Sequence, residues 1–375
     1  MKKQCKFLGL MVIFVLLALT VAACGNSSGP TGASDQNSGT ARQDTDSPGE
    51  PSQAGSKEEL APLSPTVLVR IAEDGSPSGA GFYIADAKGY FRELGIEVEI
   101  KEFESGNDML PALATGQIDV AGGITGSNLF NAVVRGLDIR MVADKGTNIP
   151  GSSYFNLMVR KDLVDQIKEY SDLAGKKIGV FAVGAFPQYL VTKALEYGGL
   201  TVDDVEWVTL GPPDLNVAFA NKSIDAALQI EPLVTLAEDQ GVAVRFRDTT
   251  EFLPEGQLAE VLVGGRFVEN EEVSKRFMVA YVKGLRDYND AFLKGKNTEE
   301  IIDIMTQYTT LKERDLWKKV AVTGLNPNGS LYEESIRDQY EWFKEQGDLR
   351  GEVDLDKIID HSLVEFAIDY LGKYE

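Results

Sequence analysis

His361 is the chain's only histidine, and Cys5 and Cys24 are its only cysteines. A Ser-His-Asp or Cys-His nucleophile would have to use that one imidazole, which stands among charged residues in a C-terminal helical region. A Cys/His zinc cluster cannot be assembled, and no D-x-D-x-D-G run offers calcium an EF-hand loop. Gly179 to Gly184 misses the G-x-G-x-x-G spacing, and there is no P-loop. Paired carboxylates at Asp203-Asp204 and Glu271-Glu272 stand where helices start, where they complement the helix dipole. No catalytic residue, metal or cofactor is therefore expected; the chemistry these side chains support is binding.

Binding groups are expected where strands run into helices. Ligands of open α/β sheets sit beyond the carboxyl ends of strands, and helix N-termini there present free N–H groups. Thr125-Gly126-Ser127-Asn128 offers hydroxyls and close backbone approach, with ordinary N-capping as the alternative. Gly184 with Phe186, Gln188 and Tyr189 mixes an aromatic face with an amide; for Tyr189 the alternative is core packing. Gln229 and Glu231 end another strand, and Ser76, Ser78, Phe82 and Tyr83 follow the first; Tyr83 has core packing as its alternative. Tyr154 completes the candidate set. Lysine and arginine are absent from these predicted loop tips, and carboxylates stand at Asp74, Asp214 and Glu231. Aromatic rings with amides suit a flat neutral heterocycle; a small hard anion held by neutral donors is the second reading.

The elements that position these loops come in two similar sets. A-L-A-T-G-Q-I-D-V-A begins at Ala112, and A-F-A-N-K-S-I-D-A-A begins at Ala218. Each predicts a helix end, a turn, a strand opening on Ile-Asp and a strand-to-helix loop, then a second strand ending at Asp144 or Asp248. Two such βαβ units predict two α/β lobes with a cleft between them. Around them, Val67–Ala72 and Val98–Phe103 read as strands of the first lobe, and 81–88 as a helix closed by Gly89. In the second lobe a helix is expected near Leu163–Tyr170, and strands at Lys177–Ala182 and Val205–Leu210. Glu271–Leu293, Leu331–Phe343 and Ser362–Leu371 read as packing helices, with Trp317, Trp342 and Phe366 in the core. Gly123–Asn128 and Gln229–Pro232 are expected to face each other across the cleft.

Lys2, Lys3 and Lys6 precede an apolar run from Phe7 to Ala23, a secretory signal rather than a membrane span. It ends Val21-Ala22-Ala23-Cys24, which resembles the cleavage box of bacterial lipoproteins, so Cys24 is the expected lipidation site. A mature chain starting there has no second cysteine and no disulfide. Residues 25–64 are poor in large apolar side chains and read as a tether reaching on the order of 35 Å. The formal net charge of −21 excludes nucleic acid as an expected partner.

G-F-Y-I-A-D-A-K-G-Y-F-R-E-L-G-I-E-V-E-I from Gly81, then L-A-T-G-Q-I-D-V-A, resembles substrate-binding proteins of ABC importers. The similarity is to the branch that takes nitrate, sulfonates, taurine and thiamine pyrimidine precursors. G-V-F-A-V-G-A-F-P-Q-Y-L-V-T-K-A-L-E-Y-G-G-L and I-D-A-A-L-Q-I-E-P-L-V-T-L-A-E-D-Q-G match two further family segments, and the resemblance runs from Val67 to the C-terminus. It implies a type II periplasmic-binding fold: two mixed sheets flanked by helices and joined by crossover strands, for which Tyr154–Arg160 and Leu258–Gly264 are the candidates. The first lobe would be 65–157 plus 262–375 and the second 158–261. The Glu231-Pro232 step matches the family's acidic-Pro step, although Ile230 replaces the aromatic residue that often precedes it. The implied function is a lipid-anchored, monomeric receptor on the outer face of the membrane. It would capture a heteroaromatic nutrient, of pyrimidine-precursor or riboflavin type, or else a sulfonate, taurine or nitrate, and pass it to a permease and its ATPase. An extracytoplasmic enzyme and a ligand-binding sensor partner are the readings from other classes. The related enzymes that make the thiamine pyrimidine rely on a cysteine-rich motif and histidines that this chain lacks.

Overall fold

The computed structural model describes residues 60–103, 106–149 and 154–375. The signal segment, Cys24 and nearly all of the expected tether lie outside the described residues. The strands are β1 (Val67–Glu73), β2 (Ile96–Glu102), β3 (Val120–Gly123), β4 (Ile139–Thr147) and β5 (Phe155–Arg160). They continue with β6 (Lys177–Val180), β7 (Glu206–Thr209), β8 (Ala226–Ile230), β9 (Ala243–Asp248) and β10 (Gln257–Gly264).

They form two five-stranded sheets, ordered β2-β1-β3-β10-β4 and β7-β6-β8-β5-β9. The orders are the same pattern twice: the two Ile-Asp repeats lead into β3 and β8, the middle strand of each sheet. In the first sheet β1 runs parallel to β2 and β3, while β10 is antiparallel to β3 and β4. In the second, β6 is parallel to β7 and β8, and β5 is antiparallel to β8 and β9. Each lobe thus receives one antiparallel strand from the chain as it crosses. β5 lies wholly in the second sheet and β10 wholly in the first. The expected lobe limits therefore misplace Phe155–Leu157 and Gln257–Val261, because the strands begin once the crossings are complete. Among the described residues the crossings are 148–149 with Tyr154, and 249–256. Asn148 ties them together: its N–H donates to the Gly256 carbonyl at 2.9 Å, its Nδ2 to the Leu253 carbonyl at 2.9 Å, and its Oδ1 accepts from Thr249 Oγ1 at 3.0 Å.

Apolar periodicity places the helices as expected at Ala80–Ala87, Glu271–Lys294, Glu333–Glu345 and Ser362–Leu371. Gly89, at φ 79°, ends the first of these. The helix expected near Leu163–Tyr170 is absent: the chain forms 3₁₀ turns at Lys161–Leu163 and Tyr170–Leu173. Asp172 Oδ2 takes the N–H groups of Lys168 and Glu169 at 2.8 and 2.9 Å, which favours a turn over helix continuation.

Trp317 and Trp342 are buried in separate clusters, and Phe366 packs at the edge of the one that holds Trp317. Helix Glu333–Glu345 belongs to both lobes. Tyr340 packs edge-on against Phe130 at 5.0 Å, and Trp342 against Tyr189 of the second lobe at 5.7 Å. No helix among the described residues is long and apolar enough to cross a membrane.

Candidate ligand-binding site

The carboxyl edge of the first sheet carries a buried polar cluster that sequence reading did not assemble. Its parts come from the ends of β1, β4 and β10. Glu73 and Lys145 are 1% and 2% exposed, and Lys145 Nζ lies 3.3 Å from Glu73 Oε2. The same ammonium donates to Ser78 Oγ at 2.8 Å, and the Tyr83 hydroxyl donates to Glu73 Oε2 at 3.4 Å. Gly122 makes room for the pair: a Cβ there would stand 1.9 Å from Glu73 Oε1 and 2.2 Å from Lys145 Cε. Asp144 Oδ1 accepts from Gln257 Nε2 at 2.7 Å and its Oδ2 from the Asn326 N–H at 2.8 Å. Glu260 Oε1 accepts from Thr125 Oγ1 at 2.5 Å.

One buried ammonium therefore serves several carboxylates, and they divide the charge. Burial pushes Glu73 up to about 7, against the attraction of Lys145. Burial also acts on Asp74, but Lys145 and the Ser76 hydrogen bonds outweigh it and hold Asp74 below the usual range. Burial raises Asp144 to about 7 against three donors, and Glu260 to about 8 against the Thr125 hydroxyl. Lys145 is held above its ordinary value because Glu73 and Asp74 outweigh its own desolvation.

Glu73 and Glu260 thus bind protons more tightly folded than unfolded. The stability this adds is complete below about pH 4.5 and is lost as pH rises through about 7 to 8. The ligand-free protein should accordingly lose on the order of a few kcal/mol between pH 5 and pH 9. Thermal denaturation across that range checks this, and Glu260→Gln should flatten the upper half. A midpoint that rises toward pH 9 would refute it.

The predicted residues divide into those at this edge and those in the core. Ser76 Oγ bonds Ser78 Oγ at 2.8 Å, and the Ser76 N–H donates to Asp74 Oδ1 at 3.0 Å. The half-buried Tyr154 hydroxyl hydrogen-bonds with Ser76, and burial raises its pKa, with the charges of Asp74 and Glu73 adding to the effect. Its ring stands edge-on to Phe155 at 4.9 Å. Ser127 Oγ donates to the Gly184 carbonyl at 2.9 Å, and Gly126 forms a backbone bridge with Ala185, so the two lobes touch here. Asn128 is exposed beside them. Gln188 Oε1 accepts from the Gly184 N–H at 2.8 Å and shapes that loop.

Three expectations need correction. Phe82 is fully buried against Tyr281 and Phe277, with centroids 4.6 and 6.2 Å away. Phe186 and Tyr189 are likewise core, and the Tyr189 hydroxyl donates to Asp338 at 2.6 Å. The partner facing Gly126 is Ala185, not the segment Gln229–Pro232. Gln229 is bonded within its own lobe, to the Pro212 carbonyl and Asn216 at 2.8 and 2.9 Å. Glu231 is buried, paired with Arg245, and accepts from the Ala321 N–H at 3.2 Å. Basic groups stand beside these residues within strands rather than at loop tips, as Lys145 in β4 and Arg245 in β9. Their signal was weak for that reason. His361 bonds Glu333 at 2.9 Å, away from this edge.

A separate cavity of about 490 Å³ opens at the opposite, amino-terminal edge of the first sheet, lined by Val67, Leu113, Asp119, Asp138, Arg266 and Phe267 among others. Its two acids are already engaged, Asp119 by Arg70 and Asp138 by Arg140. It is not where the strand ends converge, and it is not the candidate site. Among the described residues no group of His, Cys, Asp or Glu is placed to hold a metal ion.

A family model described as NMT1/THI5 like matches residues 76–290. A binding protein of Brucella abortus (strain 2308) is 27% identical over 236 residues, 62% of this chain and 68% of that one. The 4-amino-5-hydroxymethyl-2-methylpyrimidine phosphate synthase of Aspergillus parasiticus is 30% identical over 195 residues, 50% of this chain and 52% of the enzyme. The crystal structure of the periplasmic aliphatic sulphonate binding protein of Escherichia coli superposes with a TM-score of 0.64 at 22% identity, covering 78% of this chain and 91% of that one.

Proposed function

This chain belongs to the NMT1/THI5-like family, and from that premise we propose that it is the solute-capturing component of an ABC importer. The observation that carries the reading is the meeting of two lobes beside a buried polar cluster at strand carboxyl ends. Such a site encloses a small molecule from both sides, and contacts to both lobes favour the shut arrangement. The hinge lies where the two crossings meet, with Thr249 Oγ1 donating to Asn148 Oδ1 at 3.0 Å. The ligand is a small heteroaromatic nutrient: the half-buried Tyr154 supplies a ring face, and the serines and carboxylates supply polar partners. Cys24 carries the lipid that holds the receptor at the outer face of the membrane, and the permease with its ATPase takes the released ligand. The protein works as a monomer.

Likeness to the pyrimidine synthase makes an enzyme the competing reading. The fixed role of His361, paired with Glu333, argues for binding instead. Cys24→Ser in the full chain should move the protein from the membrane to the soluble fraction; unchanged membrane attachment rejects the lipid anchor. That soluble variant should then be stabilised by one class of small heteroaromatic solute and leave it chemically unaltered. A ligand at a hundred times its Kd adds about 2.7 kcal/mol, a clear thermal shift. Turnover of the bound compound would overturn the receptor reading.

A further inference from the structure

We infer that the lobes open on one face only: helix Glu333–Glu345 welds them on one side, and Glu231 with the Ala321 N–H latches the mouth on the other. The opening face follows from packing; its use as the ligand's entrance rests on the proposed receptor function. The first observation is how the apolar core divides. Side chains alternate along a strand, so the two faces of each sheet pack independently. One continuous cluster takes a face of both sheets, with Ala121 and Leu262 in the first and Leu157 and Leu228 in the second. The opposite faces carry separate clusters, one holding Phe277 of the first lobe and one holding Leu215 of the second. Helix Glu333–Glu345 makes the join in the shared cluster. Its Tyr340 meets Phe130 of the first lobe, and its Trp342 meets Tyr189 of the second. Asp338 on the same helix accepts from the Tyr189 hydroxyl at 2.6 Å and pairs with Lys193 Nζ at 2.9 Å. The helix is also fixed to the hinge: the Gln257 N–H donates to Ser335 Oγ at 3.0 Å, and Gln339 Nε2 to the Gln257 carbonyl at 2.9 Å. Parting the lobes on this side would carry the buried rings of Tyr189 and Trp342 into water.

The second observation is the chemistry of the other face, where the lobes meet through polar contacts. Glu231 Oε1 accepts from the Ala321 N–H at 3.2 Å, and Lys319 Nζ lies 3.8 Å from Asp239 Oδ2. Lys319 and Asp239 are 59% and 55% exposed, so that pair adds little. Glu231 is oriented from within its own lobe, by Arg245 and by the Thr235 N–H and Oγ1 at 3.1 and 2.9 Å. Ala321 is held from the first lobe, because the segment that follows it bonds to β4. There the Thr147 N–H donates to the Gly324 carbonyl at 2.9 Å, and the Asn326 N–H to Asp144 Oδ2 at 2.8 Å. A single hydrogen bond thus joins two parts that are each fixed. Water replaces such a bond when the lobes part, whereas it does not replace apolar burial. This face therefore opens at the lower cost. It also opens beside the candidate site: the Glu231 N–H donates to the Tyr154 carbonyl at 3.2 Å, and the Tyr154 hydroxyl bonds Ser76.

The test is spin-label distance measurement on the ligand-free full chain, with Cys5→Ser and Cys24→Ser removing both native thiols. One label pair spans the mouth, at Lys318→Cys and Gln240→Cys. The other spans the weld, at Glu196→Cys and Glu341→Cys. All four positions are exposed, and none belongs to the latch. The weld pair should give one narrow distance, and the mouth pair a second, longer one. Glu231→Ala should raise the share of the longer mouth distance about fivefold, the equivalent of one net hydrogen bond, with the weld pair unchanged. Ala321→Pro removes only the N–H and keeps the Glu231–Arg245 pair, so it should act in the same direction. A weld pair that broadens while the mouth stays narrow, or two pairs that lengthen together, would overturn one-sided opening. A mouth pair unmoved by both variants would overturn the latch. No ligand enters these measurements, so failure of the receptor function would leave the distances as they are.

Discussion

Lys145→Met is expected to cost about 3–5 kcal/mol of folding stability at pH 8, the scale for breaking a buried ion pair from one side. Methionine fills much of the lysine stem's volume, so the loss is mainly electrostatic. Glu73 and Asp74 would be left without the ammonium that each leans on. Ser78 Oγ would lose its donor as well. The cost should shrink at pH 5, because Glu73, already raised to about 7 by burial, takes up a proton and sheds its charge. Glu73→Gln combined with Lys145→Met should recover a substantial part of the loss, since the double change removes both charges together. Denaturant titration at the two pH values measures all three quantities. An equal penalty at pH 5 and pH 8 would show that the pair is not the source of the effect.

Gly284→Val should destabilise the first lobe by about 3 kcal/mol or more, at the upper end of what overpacking costs. Helices Ala80–Ala87 and Glu271–Lys294 cross at backbone contact. A Cβ on Gly284 would stand 2.2 Å from the Gly81 carbonyl oxygen and 3.2 Å from the Ala85 nitrogen. Both are main-chain atoms, so no rotamer change relieves the clash. Removing a mid-helix glycine gains less than about 1 kcal/mol in helix propensity, and the steric term wins. Separating the helices would also loosen Phe82 from Tyr281 and shift Tyr83, whose hydroxyl bonds Glu73. Ligand affinity should therefore fall together with the melting midpoint. A variant as stable as the parent would mean that the crossing tolerates separation.

The second prediction involves a position whose importance is invisible in one dimension. Gly284 lies in a strongly amphipathic helix, and its partner Gly81 is about two hundred residues earlier. Periodicity says which face of the helix is buried, but not which backbone it must touch.

The duplicated Ile-Asp segments did establish the architecture. Strand, turn and helix there follow from local patterning, and two copies of one pattern became two sheets of one order. Chain-level chemistry was also legible: one histidine and two cysteines leave little room for nucleophilic or zinc chemistry. Serines at the end of β1 and the Thr125–Ser127 loop were found because strand carboxyl ends are where such sheets expose binding groups.

Which charges share a site was decided only in three dimensions. Glu73, Lys145 and Glu260 are far apart in the chain, and sheet order β2-β1-β3-β10-β4 brings their strand ends together. Gly122 lets two of them meet over β3, a role readable only once its neighbours are in place. Aromatic residues show the converse. Phe82, Phe186 and Tyr189 have the composition of a stacking site, yet packing against other elements turned them into core. Residue type and spacing determine the elements because those depend on near neighbours. Charge pairing and burial depend on contacts between distant segments, and only the folded chain supplies them.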